Sequence, residues 1–170
     1  MKKIALTLQI FLIFALLPFA ACEPNTHKEP FEDESTTDLI QAYKPERIEI
    51  LPLTYFLCEG SGEDICQIKA YVSLLDRFGC QEKNPGVFRF ELYEPVARSA
   101  EQKGRRIMLW PDFDLTDPDK NNRYWRDFVR AYEFNLQIDS LNGRSFILQV
   151  TFMCPTGKRH YAEMLLKHPE

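Results

Sequence analysis

One stretch of the sequence decides the fold class: Gln67-Ile68-Lys69-Ala70-Tyr71-Val72-Ser73-Leu74. Its aliphatic residues fall at every second position, with polar or aromatic residues between them. A period of two places alternate side chains on opposite faces of a strand, so that one face is buried and the other meets solvent. The stretch therefore predicts a half-buried strand of an antiparallel sheet.

The same period recurs along the chain from residue 47 onward. Six further runs show it, at 48–53, 88–93, 106–110, 132–138, 146–152 and 160–166. The first of these puts Ile48, Ile50 and Leu53 on its apolar side. Turn-forming residues separate the runs, and Pro155-Thr156-Gly157 predicts that the last two form a hairpin. About seven short strands predict an all-β, two-sheet antiparallel sandwich of immunoglobulin-like or transthyretin-like kind.

One segment departs from this period. Tyr124, Trp125 and Phe128 stand at helical spacing, which predicts a short helix near 122–130. Asp117 or Asp119 is suited to cap it, because a carboxylate can accept hydrogen bonds from the first free N–H groups of a helix.

The N-terminus has the pattern of a secretory signal. Lys2 and Lys3 precede an uncharged, largely apolar run over 4–21, and small residues end it. The last four residues, Phe19-Ala20-Ala21-Cys22, resemble the lipobox of bacterial lipoproteins, with Phe19 where that family usually has leucine. An ordinary signal peptide and a retained membrane helix are the alternatives.

The lipobox resemblance implies that residues 1–21 are removed and that Cys22 carries a diacylglyceryl group. Two acyl chains are sufficient for stable membrane anchoring. Glu23 stands where such lipoproteins often carry an inner-membrane retention aspartate, so the resemblance favours the outer membrane, facing the periplasm. Residues 22–45 are acidic and proline-containing, which predicts a flexible tether ahead of a sandwich domain over 46–170.

Composition limits the partners and the redox chemistry. The formal charge is −4, and no basic stripe is present, which argues against nucleic acid as a partner. Four cysteines follow Cys22, and an even number in an exported chain suggests two disulfides. Cys58 and Cys66 bracket a short polar loop and are the first expected pair, which leaves Cys80 with Cys154. The alternative is that some of the four are free thiols.

Two groups of residues are candidates for binding. Asp112, Asp114, Asp117 and Asp119 form an oxygen-rich segment that could hold calcium, although turn and cap roles explain the same residues. Trp110, Tyr124 and Trp125 could form a carbohydrate- or ligand-binding surface over 110–132, although aromatic residues at such positions often fill a core. No sequence motif of a nucleophile with its base is present, so the sequence predicts neither an enzyme nor a cofactor.

Three further pieces of the domain carry a resemblance: Ile48-Glu49-Ile50-Leu51-Pro52-Leu53-Thr54, Phe88-Arg89-Phe90-Glu91-Leu92-Tyr93, and Tyr124-Trp125-Arg126-Asp127-Phe128 leading into Tyr132-Glu133-Phe134. With these pieces the domain is similar to uncharacterised lipoproteins of planctomycete-type bacteria. This similarity spans 47–166 and implies the fold and the anchor, with no activity attached. The resulting hypothesis is a lipid-anchored, non-enzymatic envelope module that binds a protein partner through an edge strand or loop. Carbohydrate or small-ligand binding is the alternative, and a hydrolase is the third.

Overall fold

The computed structural model describes residues 44–59, 65–96, 102–138 and 143–167. The predicted signal peptide 1–21, Cys22 and the predicted tether up to residue 43 lie outside this part of the chain. Within the described ranges the chain forms eleven strands and one helix. In order they are β1 (Arg47–Ile50), β2 (Tyr55–Glu59), β3 (Ile65–Leu75), β4 (Gln81–Glu82), β5 (Val87–Pro95), β6 (Lys103–Leu109), β7 (Phe113–Asp114), α1 (Pro118–Tyr124), β8 (Trp125–Arg126), β9 (Ala131–Ile138), β10 (Ser145–Met153) and β11 (Arg159–Lys167).

The strands form two antiparallel sheets, as the period-two runs predict. Sheet I has the order β1-β3-β9-β8, with β2 and β4 also paired to β3. Sheet II has the order β11-β10-β5-β6, with β7 also paired to β5. The predicted hairpin is confirmed, because β10 and β11 pair across the turn at 155–157 and Gly157 supplies the positive φ of 87°. The all-β sandwich is therefore correct, with four more strands than the sequence indicated.

The core lies between the inner faces of the two sheets. In sheet I, Ile68 stands opposite Leu136 and Ala70 opposite Phe134, and these four side chains are fully buried. Sheet II contributes phenylalanines from β5 and β10, of which Phe88 packs against Phe134 with ring centroids 5.1 Å apart. Each fully buried side chain of this size contributes about 1.5–3 kcal/mol, so the alternating pattern is also the main source of stability.

A bulge between β1 and β2 corrects one sequence prediction. Ile50 pairs with Val72 and Tyr55 with Lys69, so four residues, 51–54, stand opposite two. The two extra residues form a turn, and Leu53 in it is 51% exposed, so its predicted place on the apolar side with Ile48 and Ile50 is wrong. Residue 54 then points inward.

Thr54 completes the ladder at this bulge. Its Oγ1 accepts a hydrogen bond of 3.0 Å from the backbone N–H of Tyr71, while the N–H of Leu51 donates to the carbonyl oxygen of Tyr71 at 2.8 Å. The hydroxyl therefore takes the position of a missing backbone acceptor inside a buried part of the sheet.

The helix is confirmed, but its predicted bounds are wrong. It begins earlier, because Asp117 caps it by accepting from the N–H of Lys120 at 2.8 Å and Pro118 occupies its first turn. It ends at Tyr124 because Trp125 adopts an extended conformation and pairs with Tyr132 on β9. Phe128, which was expected on the helix, lies in the following turn and is 81% exposed. In the described residues, no helix has the length and apolarity needed to cross a membrane.

Candidate functional site

The aromatic residues proposed as a ligand surface do not form an exposed face. Trp110 and Trp125 are buried, and Tyr124 is half-buried with its ring 5.3 Å from that of Phe134. The indole N–H groups of the two tryptophans form hydrogen bonds within the protein. Trp110 donates to the carbonyl oxygen of Gln137 at 2.7 Å, and Trp125 donates to the carboxylate of Asp127. Trp110 and Trp125 therefore offer no open aromatic surface, because their rings fill the space between the helix and the sheets, and of the three residues Tyr124 alone stays partly accessible.

The four aspartates are dispersed among local roles. Asp112 forms a two-bonded ion pair with Arg89, at 2.7 and 2.9 Å, and the Arg89 guanidinium lowers the pKa of its carboxyl. Asp114 accepts from the hydroxyl and the N–H of Thr116, and these bonds lower its pKa. Asp117 caps α1, and Asp119 lies in its first turn. No three His, Cys, Asp or Glu side chains in the described residues are grouped as a metal site, so the calcium candidates find no support in the geometry.

The cysteine predictions are half confirmed. Cys58 and Cys66 stand opposite each other on β2 and β3 and form a disulfide. Cys80 and Cys154 are free thiols, so the expected second disulfide is absent. Each belongs to a separate turn, with the N–H of Cys80 bound to Asp76 Oδ1 and the N–H of Cys154 to the carbonyl oxygen of Lys158. Partial burial raises the pKa of the Cys154 thiol, which keeps it protonated at neutral pH.

A cavity lies beside Cys154, and two of its charged lining residues are paired with each other. It measures about 410 Å³ and is walled by Pro45, Pro85 and Pro155 among others. Lys158, on its rim, forms an ion pair of 2.9 Å with Glu46. This pair neutralises the charge of Lys158, whereas a second region of the surface carries an unpaired arginine in the described residues.

That region is the free edge of β9. On one side β9 pairs with β3 along Tyr132–Ile138, but on the other side it pairs only with β8, at Ala131 and Tyr132. The bond from Trp110 to the carbonyl oxygen of Gln137 shows that this residue's backbone groups face the open side. Because backbone groups alternate along a strand, those of Asn135 face the same side. No strand in the described ranges pairs with β9 there.

A cavity of about 240 Å³ lies at this edge. We call it the edge pocket, and its lining residues are Phe113, Arg123, Tyr124, Arg126, Glu133 and Asn135. The rings of Phe113 and Tyr124 pack edge to face with centroids 5.9 Å apart and supply an aromatic surface. The other four side chains are polar or charged, so the edge pocket combines an apolar wall with hydrogen-bonding groups.

Some charged side chains around the edge pocket are paired with an opposite charge, and the first of these is Glu133. Glu133 lies 3.4 Å from Arg126 and 3.7 Å from Lys69. Partial burial alone would raise the pKa of Glu133, but hydrogen bonds from Tyr71 and Arg126, with the nearby positive charges, outweigh it and lower the pKa. Glu133 is therefore ionised and its charge compensated.

Arg126 and Arg123 differ in what they bind. Arg126 also donates to the carbonyl oxygens of Arg123 and Trp125, at 2.8 and 3.2 Å, so its donors are engaged at the end of α1. Arg123 is exposed in the last turn of α1 and has no carboxylate partner in the described part of the chain. The edge pocket thus carries an uncompensated positive charge, although the whole chain is acidic.

A buried polar cluster fixes α1 beside β9. The hydroxyl of Tyr132 accepts from the N–H of Asn84 at 2.8 Å and lies 3.0 Å from the carbonyl oxygen of Asn84 and 3.1 Å from Asn121 Oδ1. Asn121 on α1 also donates from Nδ2 to the carbonyl oxygens of Asn84 and Leu115, at 3.0 and 2.9 Å. Burial raises the pKa of Tyr132 to about 12, so this hydroxyl is neutral at physiological pH. The cluster sets where Arg123 and Tyr124 stand.

The sequence had indicated Tyr124 but neither Arg123 nor Asn135. The alternation along β9 does place Asn135 on the outward face, but no local signal shows that one edge of β9 is unpaired. No protein-family model, curated protein or solved structure matches this chain significantly.

Proposed function

We propose that this chain is a lipid-anchored envelope protein and a non-enzymatic interaction module that binds an extended segment of a partner protein at the free edge of β9. The observation that carries the proposal is the position of Asn135, whose backbone N–H and C=O face an edge that no described strand covers, beside the edge pocket. Addition of a strand to such an edge derives affinity from backbone hydrogen bonds and specificity from pockets for side chains.

The edge of β6 is less suited to this role. Its basic residues are already paired across the surface of sheet II: Lys103 with Glu163 at 2.6 Å, Arg105 with Glu94 at 2.7 Å, and Arg106 with Glu91 at 2.7 Å. Basic residues on an edge strand are a common protection against unwanted pairing. In the described residues the ion pairs of β9 involve Glu133 alone, with Arg126 and Lys69, so the backbone groups of Asn135 are not protected by a row of paired basic residues.

Strand addition is tested by photocrosslinking in cells. A photoreactive amino acid at Asn135 should give one recurrent adduct with an envelope protein, because the partner's backbone would lie directly against this residue. The same amino acid at Arg105 is the matched control, since its side chain is 78% exposed on the edge strand of the other sheet. Equal adducts at both positions, or none at Asn135, would refute binding at β9.

The membrane anchor is a separate part of the proposal. Lipid on Cys22 would hold the protein at the outer membrane, facing the periplasm, and two acyl chains make dissociation negligible. A Cys22→Ala variant should move from the membrane pellet to the soluble fraction after a salt wash, whereas Cys80→Ala should stay in the pellet. Retention of Cys22→Ala in the pellet would show that something other than lipid on this cysteine anchors the chain.

A second candidate function uses the same edge pocket. The rings of Phe113 and Tyr124 beside Asn135 and Glu133 offer the stacking surface and polar groups that a sugar residue requires. Binding on a glycan array that is lost in Tyr124→Ala, with no crosslinked partner at Asn135, would favour this function over strand addition.

A further inference from the structure

We propose that the segment bound at the β9 edge is the C-terminus of a partner chain, with its terminal carboxylate held by Arg123. This inference rests on the proposed function and specifies the partner. It follows from three features of the edge: its closed ends, the position of its positive charge and the direction of the neighbouring strand.

The free edge is short and closed at both ends. β8 occupies it at Ala131 and Tyr132, and the indole of Trp110 occupies it at the carbonyl of Gln137. Five residue steps separate Tyr132 from Gln137, which corresponds to roughly 17 Å of strand. An internal segment would have to bend out of the sheet at both ends, whereas a chain terminus needs to enter at one end only.

The positive charge lies at the β8 end. Arg126 belongs to β8 and Arg123 lies two residues before it, in the last turn of α1, and both line the edge pocket. Arg126 is engaged by Glu133 and by two carbonyl oxygens, whereas Arg123 has no carboxylate partner in the described residues. A guanidinium binds a carboxylate through two parallel N–H···O bonds, so a carboxylate at the β8 end complements Arg123.

The direction of the added strand agrees with this placement. β8 runs antiparallel to β9, and a segment ending at β8 would also run antiparallel to β9, in line with β8. Antiparallel pairing is the more stable arrangement per residue. A residue of this segment that stands opposite Phe134 would point its side chain to the inner side, toward Tyr124, because side chains alternate as they do on β9. We therefore expect a preference for an apolar residue near the C-terminus.

The test uses the full mature chain in mild detergent on a paired peptide array. Every random six-residue sequence is present twice, once with a free C-terminal carboxylate and once as the C-terminal amide. We expect each peptide that binds as the free acid to bind at least about tenfold more tightly than its amide, since a charge-assisted bond to the carboxylate is lost in the amide. Arg123→Gln should remove this difference, and added salt should reduce it.

Arg105→Gln is the matched control, because it removes an exposed arginine from the other sheet and should leave the difference unchanged. Equal binding of acids and amides, a difference that survives Arg123→Gln, or no binding at all would overturn the inference. Crosslinking at Asn135 tests strand addition at β9 separately from recognition of a terminal carboxylate. An adduct that maps to an internal segment of the partner would retain strand addition and refute the terminal carboxylate.

Discussion

Tyr132→Phe is the most direct test of the cluster that holds α1 against β9. The substitution removes one oxygen and leaves the ring, which is fully buried and packs against Phe88 and Phe134. The N–H of Asn84 then loses its acceptor at 2.8 Å, and Asn121 loses a partner at 3.1 Å. An unsatisfied buried donor costs about 1–3 kcal/mol, and the second bond adds about 1 kcal/mol when no water replaces it.

We expect Tyr132→Phe to lower the free energy of unfolding by about 2 kcal/mol. In urea denaturation this corresponds to a midpoint shift of about 1 M, since small proteins have slopes of about 1–3 kcal/mol per M. Tyr161→Phe is the matched control, because Tyr161 is 71% exposed and the same atom change there should stay within about 0.5 kcal/mol. If the two variants unfold at the same urea concentration, the cluster does not hold the helix and the reasoning fails.

The same variant should also change how the free energy of unfolding depends on pH. Burial raises the pKa of Tyr132 from 10.0 to about 12 in the folded state, so the neutral hydroxyl is favoured there. The resulting stability is complete below about pH 10 and is lost as the pH rises through 12. Wild-type protein should therefore lose stability in this window more steeply than Tyr132→Phe, as unfolding curves at a series of alkaline pH values would show.

Three further substitutions test the fold. Thr54→Val should cost about 1–3 kcal/mol in urea denaturation, because the buried N–H of Tyr71 loses its acceptor, whereas Thr54→Ser should retain most of the stability. Replacing Cys58 and Cys66 together by serine should cost roughly 2–3 kcal/mol, the value expected for a loop closed across 8 residues, and no change on reduction of wild type would contradict this. Burial, with a smaller effect of Asp76, raises the pKa of Glu82 from 4.5 to about 7, so wild type should lose stability between these pH values. Glu82→Gln should be the more stable protein at pH 8, by about 1 kcal/mol because the carboxyl is partly open to solvent, and equal pH profiles would refute this.

The sheets were predictable because most strands have one buried face and one more exposed face, so that apolar and polar residues alternate along the sequence. The second half of β3 is the exception, since both of its faces are buried. The prediction failed where geometry depends on residues distant in sequence. Leu53 was counted with Ile48 and Ile50 although it lies three residues after Ile50, out of step with a period of two, and it is exposed in the turn of the bulge. The helix begins earlier than the spacing of its aromatic residues indicates, because Asp117 caps it and Pro118 occupies its first turn.

The candidate site was less predictable still, and the reason is physical. Arg123 lies at the end of a short helix and Asn135 in the middle of a strand, and no motif connects them. They line one pocket because β8 is two residues long and no other described strand pairs with the rest of the β9 edge. Whether a strand edge is covered is a property of the whole sheet, so a local pattern does not reveal it.

Buried positions usually accept apolar residues and exposed positions polar ones, but in the bulge at 51–54 the buried residue is polar and the exposed residue is apolar. At position 54 the fold requires a hydroxyl, so a library of variants should be enriched in threonine and serine and depleted of every aliphatic residue, although the site is buried. One position earlier, Leu53 can be exchanged for lysine or glutamate with little loss, since half of its surface already meets water. A solubility-enhanced variant would start at Leu53, and a search for distant relatives should expect a polar residue in the interior one step later.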